Sequence, residues 1–145
     1  MNARCCLLAV ALLGCGSYFS PTPTPRRDAG SDAAAVVHGC DEARFVDRRD
    51  ATAERVVSFG GAVGMAFSPP CVTVAAGQSV RFAGPMTLHP LRAGVVGVAG
   101  SAAGSAIADT GAGDEVTFVF PTAGSFPFHC GVHGAMGMTG VVRVR

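Results

Sequence analysis

The residues able to do chemistry crowd into one stretch near the C-terminal end, where Cys130, His133, Met136 and Met138 are separated mainly by glycines. A further histidine, His89, lies far upstream beside Pro90. Alternation along an extended segment turns Phe126, Phe128 and Cys130 to one face and His129 to the other. An inward thiol at the end of a strand, followed by a Gly-rich loop, is placed to meet a second loop carrying His89. One distant imidazole, with a thiolate, an imidazole and a thioether from a single tight loop, makes a trigonal His2Cys set with a weak fourth donor. That set selects copper and suits one-electron transfer. Thiolate and thioether stabilise Cu(I), imidazole accepts both oxidation states, and ligands on loops of a rigid scaffold hold the compromise between their geometries.

A different chemistry would make Cys130 a nucleophile with His133 or His89 as its base. No Asn or Asp lies near to orient such a base, and an inward-facing Cys attacks poorly. The chain is therefore read as a non-enzyme, with no catalytic residue assigned. His129 is expected at the surface beside the site and His38 in solvent. Met65 has core spacing and needs no metal.

Short strands with turn signals must position these residues. Extended segments are expected at 55–59, 64–67, 72–75, 79–83, 115–120, 125–130 and 140–145, punctuated by Gly and Pro. Val72 and Val74, Val80 and Phe82, Val116, Phe118 and Phe120, and Val142 and Val144 alternate with small or polar residues, so each strand buries one face. Frequent short strands of this kind predict an all-β sandwich. Residues 41–54 are charged and predict either a helical turn around Ala43 and Phe45 or an added edge strand. Residues 92–113 are almost wholly Gly, Ala, Ser and Val, which reads as a long mobile loop or a weak strand pair.

The N-terminal end reads as an export signal. An apolar run from Cys5 to Leu13 follows Arg4 and ends at Gly14 and Cys15. It falls short of the roughly 18 residues that a spanning helix requires, and suits a secretory signal over residues 1–14. Leu12, Leu13, Gly14 and Cys15 resemble a bacterial lipobox, which implies cleavage before Cys15 and attachment to the membrane through lipid on that residue. The alternative is simple cleavage to a soluble periplasmic protein. Residues 15–37, with prolines at 21, 23 and 25, read as a tether ahead of a domain at 38–145. The expected location is the bacterial cell envelope, facing the periplasm, where disulfides persist. Setting aside Cys5, Cys6 and Cys15 leaves Cys40, Cys71 and Cys130; with Cys130 reserved for metal, Cys40 and Cys71 pair.

Charge excludes one class of partner. All the basic residues are Arg, and without Arg4 they balance the 10 acidic residues, so no basic patch is available for nucleic acid. Near neutrality also implies little long-range steering, so association with a partner should depend only slightly on salt.

From Glu54 to Arg145 the chain resembles the plastocyanin-type cupredoxins, the small blue copper proteins. The resemblance rests on Ala66, Phe67 and Pro69, on the stretch from Val74 through Gly77 and Gln78 to Val80 and Phe82, on His89, and on Gly124, Phe126, Phe128, Cys130 and His133. It implies a Greek-key β-sandwich holding one type 1 copper on His89, Cys130, His133 and an axial Met. Met138 has the plastocyanin spacing from His133 and leads into the last strand; Met136 has the amicyanin spacing and reads as a rim contact. The family places an Asn after the first His, whose N–H reaches the Cys sulfur. Pro90 stands there instead and has no N–H, which should lower the reduction potential.

The resemblance further implies a monomeric electron carrier that docks a cytochrome, an oxidase or a copper enzyme. Docking would use an apolar rim around the exposed edge of His133, drawn from Pro90, Leu91, Gly131, Val132, Gly134, Ala135 and Met136. An oxidase or nitrite reductase would need further copper ligands and usually more domains. Copper storage or delivery uses the same four ligands and stays open as the alternative.

Overall fold

The computed structural model describes residues 36–145. The signal at 1–14, the lipid site at Cys15 and the tether up to residue 35 lie outside the described residues. Nine strands follow in order: β1 (Val46–Asp47), β2 (Val56–Phe59), β3 (Phe67–Ser68), β4 (Cys71–Val74), β5 (Ser79–Ala83), β6 (Leu91–Ala93), β7 (Glu115–Val119), β8 (Gly124–Cys130) and β9 (Thr139–Val144). They form two sheets, ordered β1-β4-β9-β8-β6 and β3-β2-β5-β7. Parallel pairs (β1 with β4, β4 with β9, β2 with β5) mix with antiparallel ones, so chain neighbours often sit in different sheets.

The expected alternation holds in β5, where Val80 and Phe82 are fully buried while Arg81 is exposed. It also holds in β8, which sends Phe126, Phe128 and Cys130 into the core. There Phe128 meets Phe67 and Phe82 edge-on, each with ring centroids 4.9 Å apart, the geometry that aromatic quadrupoles favour. The 64–67 segment is mostly not strand. Only Phe67 and Ser68 pair, and Met65 is 62% exposed rather than in the core.

One-sided burial fails at β4, where all four residues are buried. The cause is the segment before residue 48, a strap laid along the outer face of this sheet. Both readings of residues 41–54 are realised in succession: a 3-10 turn at Glu42–Arg44, capped by the Asp41 side chain, and then β1 beside β4. Cys40 and Cys71 are joined by the expected disulfide and pack with Val141, Val37 and Phe45 into a second, smaller core. Over it Arg143 lies 3.7 Å above the Phe45 ring, donates to Thr73 Oγ1 and pairs with Glu42, which also pairs with Arg145.

Arg92 and Ala93 complete β6 against β8, and residues 94–113 are turns and irregular chain rather than a second strand, meeting β structure where Leu91 and Thr110 exchange both backbone hydrogen bonds. The segment still contributes Ile107 to the core. Leu91 is fully buried there, so it belongs to the core and not to a surface rim.

Candidate metal centre

His89 is set by a tight turn after β5, in which its N–H and that of Leu88 both bond the Pro85 carbonyl. Phe59 meets its ring edge-on at 6.2 Å. Gly60 lies so close that a methyl group there would fall 2.7 Å from Pro85 Cδ and 3.4 Å from His89 Cδ2. Strand β8 delivers Cys130 from the other sheet, and the loop to β9 folds back on itself. Cys130 N–H donates to the Met138 carbonyl at 3.0 Å, and Met138 N–H donates to the His133 carbonyl at 3.1 Å. A short 3-10 turn at Gly134–Met136 fills the space between.

The result is a compact triangle of donor atoms. His89 Nδ1 and His133 Nδ1 lie 3.0 Å apart, and Cys130 Sγ lies 3.8 Å from the first and 3.5 Å from the second. A point equidistant from all three falls about 2.0 Å from each, close to ordinary metal–nitrogen and metal–sulfur bond lengths for a first-row ion. Among the described residues, these three are the group of His, Cys and acidic side chains spaced to hold a metal ion. The donor set therefore fits copper: two imidazole nitrogens and a buried thiol, without a carboxylate.

Met138 is fully buried and packs in the same core cluster as Cys130, whereas Met136 is 66% exposed. Met138 thus belongs to the buried cluster that holds Cys130, while Met136 stands on the surface. Burial, reinforced by the neighbouring His133, also holds the His89 imidazole below its ordinary pKa, leaving a lone pair free for a metal. At the sulfur, His133 N–H approaches Cys130 Sγ at 3.4 Å. Pro90 offers no donor to that atom, and its carbonyl instead accepts from Gly131 N–H at 2.7 Å.

Two histidines sit differently from the sequence expectation. His129 does point away from the core, but it is half-buried and its Nδ1 is 3.0 Å from the Gly94 carbonyl. His38 is half-buried and bonded through both ring nitrogens rather than free in solvent. Its Nδ1 bonds the Gly140 carbonyl at 3.0 Å, its Nε2 meets Val96 N–H at 3.3 Å, and burial lowers its pKa. No spacing rule links position 38 to 96 or 140, since the contact exists only once the strap is laid down.

Residues 53–145, nearly two thirds of the chain, match the sequence model of the copper binding proteins of the plastocyanin/azurin family. Solved structures with similar folds include a reduced amicyanin variant, at 26% identity and TM-score 0.46, covering 66% of this chain and 86% of that one. Pseudoazurin from Methylobacterium extorquens AM1 follows at 28% identity and TM-score 0.46, covering 61% and 72%. A copper-containing nitrite reductase from Thermus scotoductus aligns at 20% identity and TM-score 0.48, over 72% of this chain but 29% of its own. No curated protein sequence matches. On the strength of the family match the chain is a cupredoxin, and it belongs to the plastocyanin/azurin family of copper binding proteins.

Proposed function

We propose that this protein is a one-electron carrier whose copper is held by His89, Cys130, His133 and, more weakly, Met138. The observation that carries the reading is the convergence of two Nδ1 atoms and a fully buried Sγ within metal-binding distance. Copper bound there supplies a Cu(II)/Cu(I) couple. The chain supplies the rest. Cys130 binds as thiolate in a site closed to water, the His133 N–H bond steadies its sulfur, and the two-sheet frame holds all four donors against rearrangement.

His133, half-exposed, is the edge through which the electron leaves. Close in sequence to the ligands, Leu88, Val132 and Met136 are each more than 60% exposed, and large apolar side chains left in solvent around a site suit a docking surface. A redox partner (a cytochrome, an oxidase or a copper enzyme) would dock there briefly, with the protein acting as a monomer. Weak redox encounters bury little area. Export to the periplasm, with lipid on Cys15, is supported by the pattern of residues 5–15 and by a disulfide that a reducing cytoplasm would not keep. We take the folded domain as 38–145, preceded by the tether.

The test is a titration of the protein with Cu(II) while the visible spectrum is recorded, beside Cys130→Ser. An intense thiolate-to-copper band that saturates at one equivalent and is absent from the variant is expected. A protein that binds copper without that band would overturn electron transfer and favour storage or delivery.

A further inference from the structure

The strap preceding residue 53 lies outside the family match, yet it reaches the metal end of the sandwich. His38 sits at its tip in a turn closed by Cys40 N–H on the Val37 carbonyl at 2.9 Å, immediately before the disulfide. Its φ of 52° is a left-handed conformation that a side chain rarely adopts. Both ring nitrogens are committed. The Gly140 carbonyl can only accept and Val96 N–H can only donate, so Nδ1 carries the proton and Nε2 offers its lone pair.

What His38 holds is the turn behind the ligand loop. Gly94 and Val96 flank that turn. The Gly94 carbonyl fixes His129, and the Val96 side chain packs with His129 against Gly134, the residue after His133. The fit is close: a methyl group on Gly134 would lie 2.9 Å from His129 Cδ2 and 3.1 Å from Val96 Cγ2. Gly140, the other anchor, is the second residue of β9, the strand that Met138 leads into.

We infer that His38 is a positioning residue for the metal centre, acting through the Gly94–Val96 turn and His129 on the loop that carries His133 and Met138. The inference rests on the copper site proposed above. Groups that bond directly to a metal ligand typically change affinity ten- to a hundredfold when removed; one contact further out, His38 should change it roughly three- to tenfold.

Copper dissociation and the visible and electron paramagnetic resonance spectra of the copper-loaded protein should be measured for wild type, His38→Ala, His38→Gln and Glu42→Gln. His38→Ala should release copper roughly three- to tenfold faster with an altered spectrum. His38→Gln keeps one donor and one acceptor and should restore both. Glu42→Gln loosens the strap at its ion pairs with Arg143 and Arg145 and should leave the spectrum unchanged. An unchanged His38→Ala spectrum, or a Glu42→Gln effect of equal size, would overturn the inference while a blue wild type still upheld the copper site.

A second measurement needs no variant, because coupling is reciprocal. Binding of Cu(I) to the metal-free protein should slow Val96 amide hydrogen exchange roughly threefold or more. Unaltered exchange at Val96 would overturn the inference even if His38→Ala failed to fold. A wild type without the thiolate band would instead remove the copper reading on which it rests.

Discussion

Removing the Cys40–Cys71 bridge is the sharpest test of how the strap is held. The bridged residues are 31 apart in sequence. Closing a loop of that length in the unfolded chain costs entropy worth about 3.7 kcal/mol at 25 °C. For a domain of this size, that loss should lower the melting temperature by roughly 15 °C. The assay is urea unfolding of metal-free protein, comparing Cys40→Ala/Cys71→Ala with the bridged form. Both should carry Cys130→Ser, so that the buried free thiol cannot exchange with the disulfide once the chain opens. The slope of stability against urea should rise, because a chain freed of its crosslink exposes more surface on unfolding. A loss below about 1 kcal/mol would refute the chain-entropy reasoning. It would mean that Glu42, His38 and the β1 pairing already restrain the strap in the unfolded ensemble.

The two methionines should separate cleanly. Met138→Leu keeps the buried volume, so the fold should survive at a cost under about 1.5 kcal/mol while the copper spectrum changes; Met136→Ala, at an exposed position, should leave copper affinity and spectrum unchanged. Pro90→Asn introduces the backbone N–H that proline lacks and should raise the reduction potential in cyclic voltammetry; a potential that stayed level or fell would contradict the role given to that donor. The depressed pKa of His38 contributes stability that is present above its unfolded value of 6.5 and lost as pH falls through the folded value. The urea midpoint of metal-free wild type relative to His38→Gln should therefore decline as the pH is lowered below about 6.5, and a constant difference would count against it.

Most of the frame and the His89, Cys130 and His133 cluster were legible in the sequence, because both follow local rules. Two-residue alternation located the buried faces of β5, β7 and β8, and the spacing from Cys130 to Met138 reflects a loop that closes on itself. Strap contacts were not legible in that way. Alternation told nothing of a second layer over β4, so Thr73 and Cys71, which a one-layer sheet would leave facing water, are buried beneath Phe45 and Arg143. Met65 shows the opposite failure, since apolar character alone does not decide burial when the neighbouring residues form a turn. Leu91 reads as a rim residue from its nearness in sequence to His89, which says nothing of its pairing with Thr110, and Ile107 was obscured by the small residues around it.

The pairing of β1 with β4 also bears on self-association. Without that pairing, β4 would be the last strand of its sheet. Its unsatisfied N–H and C=O groups would border a run buried on both faces, an invitation for a second chain to add a strand. The strap closes that edge with only two paired residues, after which Arg48 donates to the Thr73 carbonyl and Arg49 pairs with Asp47. Short length and charge are the features by which natural sheets discourage edge-to-edge growth. A fragment trimmed to the family match at residue 53 would keep the copper ligands but bare this edge and the apolar patch around Cys71 and Val141, and it should associate or precipitate where the longer chain stays dispersed.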